Sequence, residues 1–76
     1  HALEQREAVA EAQAAIARLS DPEQQVFLLR TAAELSFEAI ANELAIPVGT
    51  AKTRMRSALQ KLRTTLGVPT RTESPR

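Results

Sequence analysis

Seventy-six residues carrying a net charge of +1 leave room for one small domain. With no cysteine, a disulfide framework and a cysteine-based zinc site are excluded, and with two Phe as the only aromatics the core must come from Leu, Ile, Val and Ala. No apolar run approaches a membrane span and no signal-peptide pattern is present, so a cytoplasmic protein is expected.

The chain opens on His1 rather than Met, which fits an excised domain carrying a tag remnant. Residues 2–18 are rich in Ala, Glu, Gln and Arg, and Leu3, Ala8, Ala12, Ala15, Ile16 and Leu19 fall roughly on one stripe. A first helix with a weak, Ala-heavy apolar face is predicted there. A break follows at Ser20-Asp21-Pro22, with two ways of starting the next helix. Either Ser20 caps with Glu23 three residues on, or Asp21 caps with Pro22 in the first helical position. This second helix is predicted to run to about Ala33, burying Val26, Leu29 and Ala33 with Phe27 at the edge of the stripe. Ser36 then caps a third helix from Phe37 to Leu44, whose buried positions are Ile40, Ala41 and Leu44. Ala45-Ile46-Pro47 makes a turn, because proline biases its predecessor away from helix. A fourth helix is predicted from Val48 to about Leu66, stopped by Gly67 and Pro69, with a short disordered tail after it. The divisions expected are 1–19 as an N-terminal or inter-region linker helix, 20–66 as the domain, and 67–76 as the tail.

The fourth helix carries the functional signal. At about 100° per residue, Ala51, Met55, Ala58, Leu59, Leu62 and Leu66 share the core arc. Gly49, Lys52, Thr53, Arg56, Ser57, Gln60 and Arg63 occupy the opposite face, flanked by Arg54 and Lys61. Long cations interspersed with short hydrogen-bonding side chains are what the edges of bases require. Charge is also divided along the chain. Residues 1–45 hold three Arg against eight Asp and Glu, a net of −5, and residues 46–76 hold seven Lys and Arg against one Glu, a net of +6. A solvated basic face is the bland alternative. Against it stands the lack of any acid from Val48 to Leu66, where a generic surface helix would use Glu for i,i+4 pairs. Helix, tight turn and longer basic helix together give an all-α bundle of about four helices containing a helix-turn-helix, without a wing.

Three stretches carry a family resemblance: Leu19-Ser20-Asp21-Pro22-Glu23-Gln24-Gln25-Val26-Phe27-Leu28-Leu29-Arg30, Leu35-Ser36-Phe37-Glu38-Ala39-Ile40-Ala41, and Ile46-Pro47-Val48-Gly49-Thr50-Ala51-Lys52-Thr53-Arg54. Together with Leu59 to Arg63, this resembles region 4 of bacterial sigma factors, most closely the extracytoplasmic-function class. The resemblance implies recognition of the −35 promoter element while sigma is bound to RNA polymerase core, docking on the β-subunit flap, and masking by an anti-sigma factor. Carried over by position, it implies base or groove contacts from Lys52, Thr53, Arg56 and Ser57, phosphate contacts from Arg30, Ser36 and Thr50, and flanking contacts from Arg54, Gln60, Lys61 and Arg63. Ser57 departs from the family, many members of which carry Arg there. Ala39 replaces the common Glu behind Ser36, and Ala45 stands where Gly often occupies the turn.

Two rivals remain. A LuxR-type response-regulator output domain shares the four-helix layout but usually has a His shortly after the Thr-x-Lys element, where this chain has Thr53-Arg54-Met55-Arg56. A sigma-like decoy would bind an anti-sigma factor without touching DNA. Phe37 and Met55 are expected to pack rather than to bind a ligand, and Arg30 has Glu34 one turn on as an alternative partner. No catalytic constellation, cofactor motif, metal-ligand cluster or small-molecule site is evident, so a non-enzymatic protein is expected.

Overall fold

The computed structural model describes residues 2–67, which form four helices: α1 (Ala2–Ala17), α2 (Asp21–Thr31), α3 (Phe37–Leu44) and α4 (Val48–Leu66). The tail expected to be disordered lies beyond Gly67, outside the described residues. All α, with α3 and α4 as the helix-turn-helix, the fold is the one expected.

The start of α2 resolves the choice between two caps in favour of Ser20. Its hydroxyl accepts the Glu23 N–H at 3.3 Å while Glu23 Oε1 accepts the Ser20 N–H at 3.0 Å, a complete capping box. The far end of α2 comes earlier than its periodicity suggested. The helix stops at Thr31, whose hydroxyl donates back to the Phe27 carbonyl at 2.7 Å, and Ala33 is exposed rather than buried. The chain leaves the helix through Glu34, in left-handed backbone at φ 59, and the Leu35 N–H returns to the Leu29 carbonyl at 3.0 Å. That turn carries Leu35 back against the core, an apolar burial the helix could not reach by continuing.

Ser36 caps α3 alone, accepting the Ala39 N–H at 3.0 Å, since the Ala39 methyl has no acceptor to complete a box. At the other end Ala45 takes left-handed backbone, φ 56 and ψ 49. The Ile46 N–H donates to the Ala41 carbonyl at 3.0 Å and the Ala45 N–H to the Asn42 carbonyl at 3.4 Å, the paired bonds of a Schellman turn. An alanine accepts this conformation, at about 1 kcal/mol or more, because the turn seats Ile46 on the core. Gly67 ends α4 the same way at φ 71, without the Cβ penalty.

Helix α4 is the spine of the molecule. Its Ala58 and Leu62 join Ala15 of α1 and Leu19 just after that helix, and its Ala51 and Met55 join Val26 and Ile40 from α2 and α3. Phe27 packs against both clusters and welds them. Ala51 and Ala58 are fully buried, so α4 approaches its neighbours at positions where only a methyl fits. Leu66, expected on the core arc, is 38% exposed, at the edge of a cleft it shares with Glu11 and Ala14 of α1.

Candidate nucleic-acid interface

The turn between α3 and α4 delivers α4 with an open N-terminus. Pro47 occupies the N-cap position and makes no side-chain cap bond. The first amides of α4 therefore keep their donors for an outside acceptor, and no acid sits in the first turn to oppose an anion. Lys52, Thr53, Arg56 and Gln60 are exposed along the helix beyond it, whereas Thr50, Arg54 and Arg63 are half-buried. Lys52, Arg56 and Arg63 come together around a groove whose floor is Phe37, Met55 and Leu59. Three cations thus rim an apolar strip, a surface able to meet phosphates, base edges and thymine methyl groups at once.

Ser57, expected among the groove contacts, is engaged elsewhere. Its hydroxyl donates to Glu23 Oε2 at 2.6 Å, and Lys61 Nζ lies 2.9 Å from each Glu23 oxygen. On the helical wheel Ser57 and Lys61 sit on the flank of α4 that meets the start of α2, about 100° and more away from Lys52 and Arg56. Position 57 is therefore part of the α2–α4 joint. Lys61, one turn further along α4, supplies the positive charge that the Glu23 carboxylate meets there. Glu23 was visible in the sequence only as the partner of Ser20. Its bonds to residues 34 and 38 positions away left no local signal.

Glu23 is 8% exposed and collects every donor around it. The Ser57 hydroxyl, the Lys61 ammonium and the Ser20 backbone hold its carboxyl down at about 2, against the opposing effect of burial. A depressed carboxyl stabilises the fold fully above its ordinary value of 4.5 and loses that contribution as pH falls toward 2. Glu23→Gln, which can still cap, is expected to lower stability by about 1–2 kcal/mol at neutral pH, a figure held down by the solvent around Lys61. Urea titrations of both proteins between pH 7 and pH 2 check this: the difference closes as pH drops through the window between 4.5 and 2. A gap that stays constant would mean the carboxylate charge is not what holds the joint.

Of the expected phosphate residues, Arg30 and Ser36 lie at the α2–α3 junction and Thr50 in the first turn of α4. Ser36 is exposed at the start of α3. Arg30 does not pair with Glu34. Its guanidinium donates to the Leu35 carbonyl at 2.9 Å and lies over the Phe37 ring, 4.9 Å from the centroid. Phe37 is also in the floor of the α4 groove, so Arg30 and the Lys52–Arg56–Arg63 rim border one surface. Among the described residues no group of His, Asp or Glu could hold a metal ion, and no helix is long and apolar enough to cross a membrane.

Such an arrangement, a four-helix body presenting the basic second helix of a helix-turn-helix, defines a DNA-binding domain of the helix-turn-helix class. The family model for sigma-70 region 4 matches residues 15–64, and the chain belongs to that family. It is the DNA-binding region of a sigma factor, of a family that acts on DNA together with RNA polymerase and is not catalytic. The match starts at Ala15, which is buried against Ala58 and Leu62 of α4. No curated protein and no solved structure matches the chain.

Proposed function

We propose that this chain reads the −35 promoter element as region 4 of an extracytoplasmic-function sigma factor in the cytoplasm. The observation that carries it is the outward placement of Lys52, Thr53 and Arg56 on an acid-free helix whose N-terminus is uncapped by any side chain. These three enter the major groove and meet base edges. Arg30, Ser36 and Thr50 hold the phosphates that fix the register, and Arg54, Gln60 and Arg63 flank the contact. Ser57 and Lys61 support this surface from behind through Glu23 rather than contribute to it. The same domain docks on the β flap of RNA polymerase core, and an anti-sigma factor that covers the basic face silences it.

With the cation Arg30 on a phosphate and the cations Arg54 and Arg63 flanking the contact, log affinity is expected to fall with log salt at a slope of about −3. An anisotropy titration of the 76-residue chain on a duplex that it has itself selected from a randomised pool, across a salt series, measures that slope. A flat response would favour the decoy, a module that meets protein partners and not DNA.

A further inference from the structure

Arg30 is held in a way a solvated surface arginine is not. One edge of its guanidinium is fixed by the Leu35 carbonyl at 2.9 Å, and its face is covered by the Phe37 ring at 4.9 Å. One N–H of the five is engaged with the protein in this way, which leaves donors for a ligand in a fixed orientation. Neither Glu34 nor Glu38 forms an ion pair with it, although both are exposed close by in sequence. Phe37 opens α3, where the first amides have no helical acceptor and Ser36 caps by accepting, so that its hydroxyl hydrogen remains available. The ring itself is anchored, half-buried against the cluster of Val26, Ile40, Ala51 and Met55.

We propose that Phe37 is a positioning residue for phosphate binding: its ring, with the Leu35 carbonyl, holds the Arg30 guanidinium ready beside the start of α3 to clamp a DNA phosphate. This rests on the promoter reading above and adds to it a cause for the strength of one contact. A free arginine loses side-chain freedom when it binds, whereas a stacked one has lost it already in folding. The ring also borders the groove under Lys52 and Arg56, so backbone clamp and base-reading face are set against one rigid side chain.

Salt-series titrations on the selected duplex test the assignment with Arg30→Ala, Arg30→Lys, Phe37→Leu, Phe37→Tyr and the double variant Arg30→Ala/Phe37→Leu. Arg30→Ala is expected to weaken binding about fivefold near physiological salt and to flatten the salt slope by about 0.9, the signature of one lost phosphate. Phe37→Leu is expected to weaken binding about two- to fivefold, and Phe37→Tyr, which keeps the ring, to restore it. In the Arg30→Ala background Phe37→Leu changes binding no further. Arg30→Lys leaves the core untouched and keeps the charge, but lacks the planar fork, and it falls about two- to fivefold below the wild type, which keeps the test open should Phe37→Leu fail to fold. An Arg30→Lys protein that binds like wild type, or a Phe37→Leu loss that persists in the Arg30→Ala background, overturns the positioning role. Lys52→Ala serves as the control. If it weakens binding while the Arg30 and Phe37 variants are silent, only the positioning role falls; if it too is silent, the promoter reading falls and takes this inference with it.

Discussion

Lys52→Ala and Arg56→Ala are each expected to weaken binding to the selected duplex by about 1–3 kcal/mol. Both side chains are exposed on α4, one turn apart, and both border the groove floored by Phe37, Met55 and Leu59. Either can offer donors to guanine O6 and N7, and Arg56 can do so bidentately. The role each plays shows in the form of the loss. Removing a base contact lowers affinity for the selected duplex more than for a scrambled one and leaves the salt slope alone. Removing a phosphate contact weakens both duplexes alike and flattens the slope by about 0.9. Because the two residues are i,i+4 neighbours, the double variant is expected to lose less or more than the sum. Two single variants that bind both duplexes like wild type would mean that α4 does not enter the groove.

Ile40→Ala carries the largest expected loss of stability, about 2–5 kcal/mol. Ile40 is fully buried at the meeting of α2, α3 and α4, with Val26, Ala51 and Met55 around it, and helices pinned on every side collapse poorly into a cavity. A domain this size holds roughly 4–11 kcal/mol in total, so the variant stands close to unfolding. Leu66→Ala is the matched comparison, since Leu66 is 38% exposed at the end of α4 and is expected to change stability by no more than about 0.5 kcal/mol. Urea melts followed by far-UV circular dichroism measure both, and similar midpoints for the two variants would contradict the core as described.

Both expectations lean on features the sequence made readable to different degrees. Helix α4 was plain because its core arc repeats at the helical period over five turns and its polar face holds no acid. The same periodicity misplaced the ends: Leu66 lies on the arc yet is 38% exposed beside Glu11 and Ala14 of α1, and Ala33 continues the α2 stripe although the helix has ended at Thr31. An arc on a wheel states which side of a helix is apolar, not how closely its partners approach. Ser57 shows the same limit on the functional face. A wheel puts it with the polar residues; only the packing of α2 against α4 shows that a buried carboxylate takes its hydroxyl.

By itself, the sequence determined four helices, the Ser36 cap, the turn at Ala45 and the division of α4 into a buried and a cationic side. Those properties depend on residues within about a turn of one another, where hydrogen bonding and side-chain periodicity act locally. The tertiary structure alone decided which polar groups remain for a ligand. Glu23 withdraws Ser57 and Lys61 to the α2–α4 joint, and Phe37 and Leu35 fix Arg30 at the edge of the same surface that Lys52 and Arg56 line. Except for the short link from Arg30 to Leu35 and Phe37, these are pairings between distant parts of the chain, made when hydrophobic burial brings the helices together.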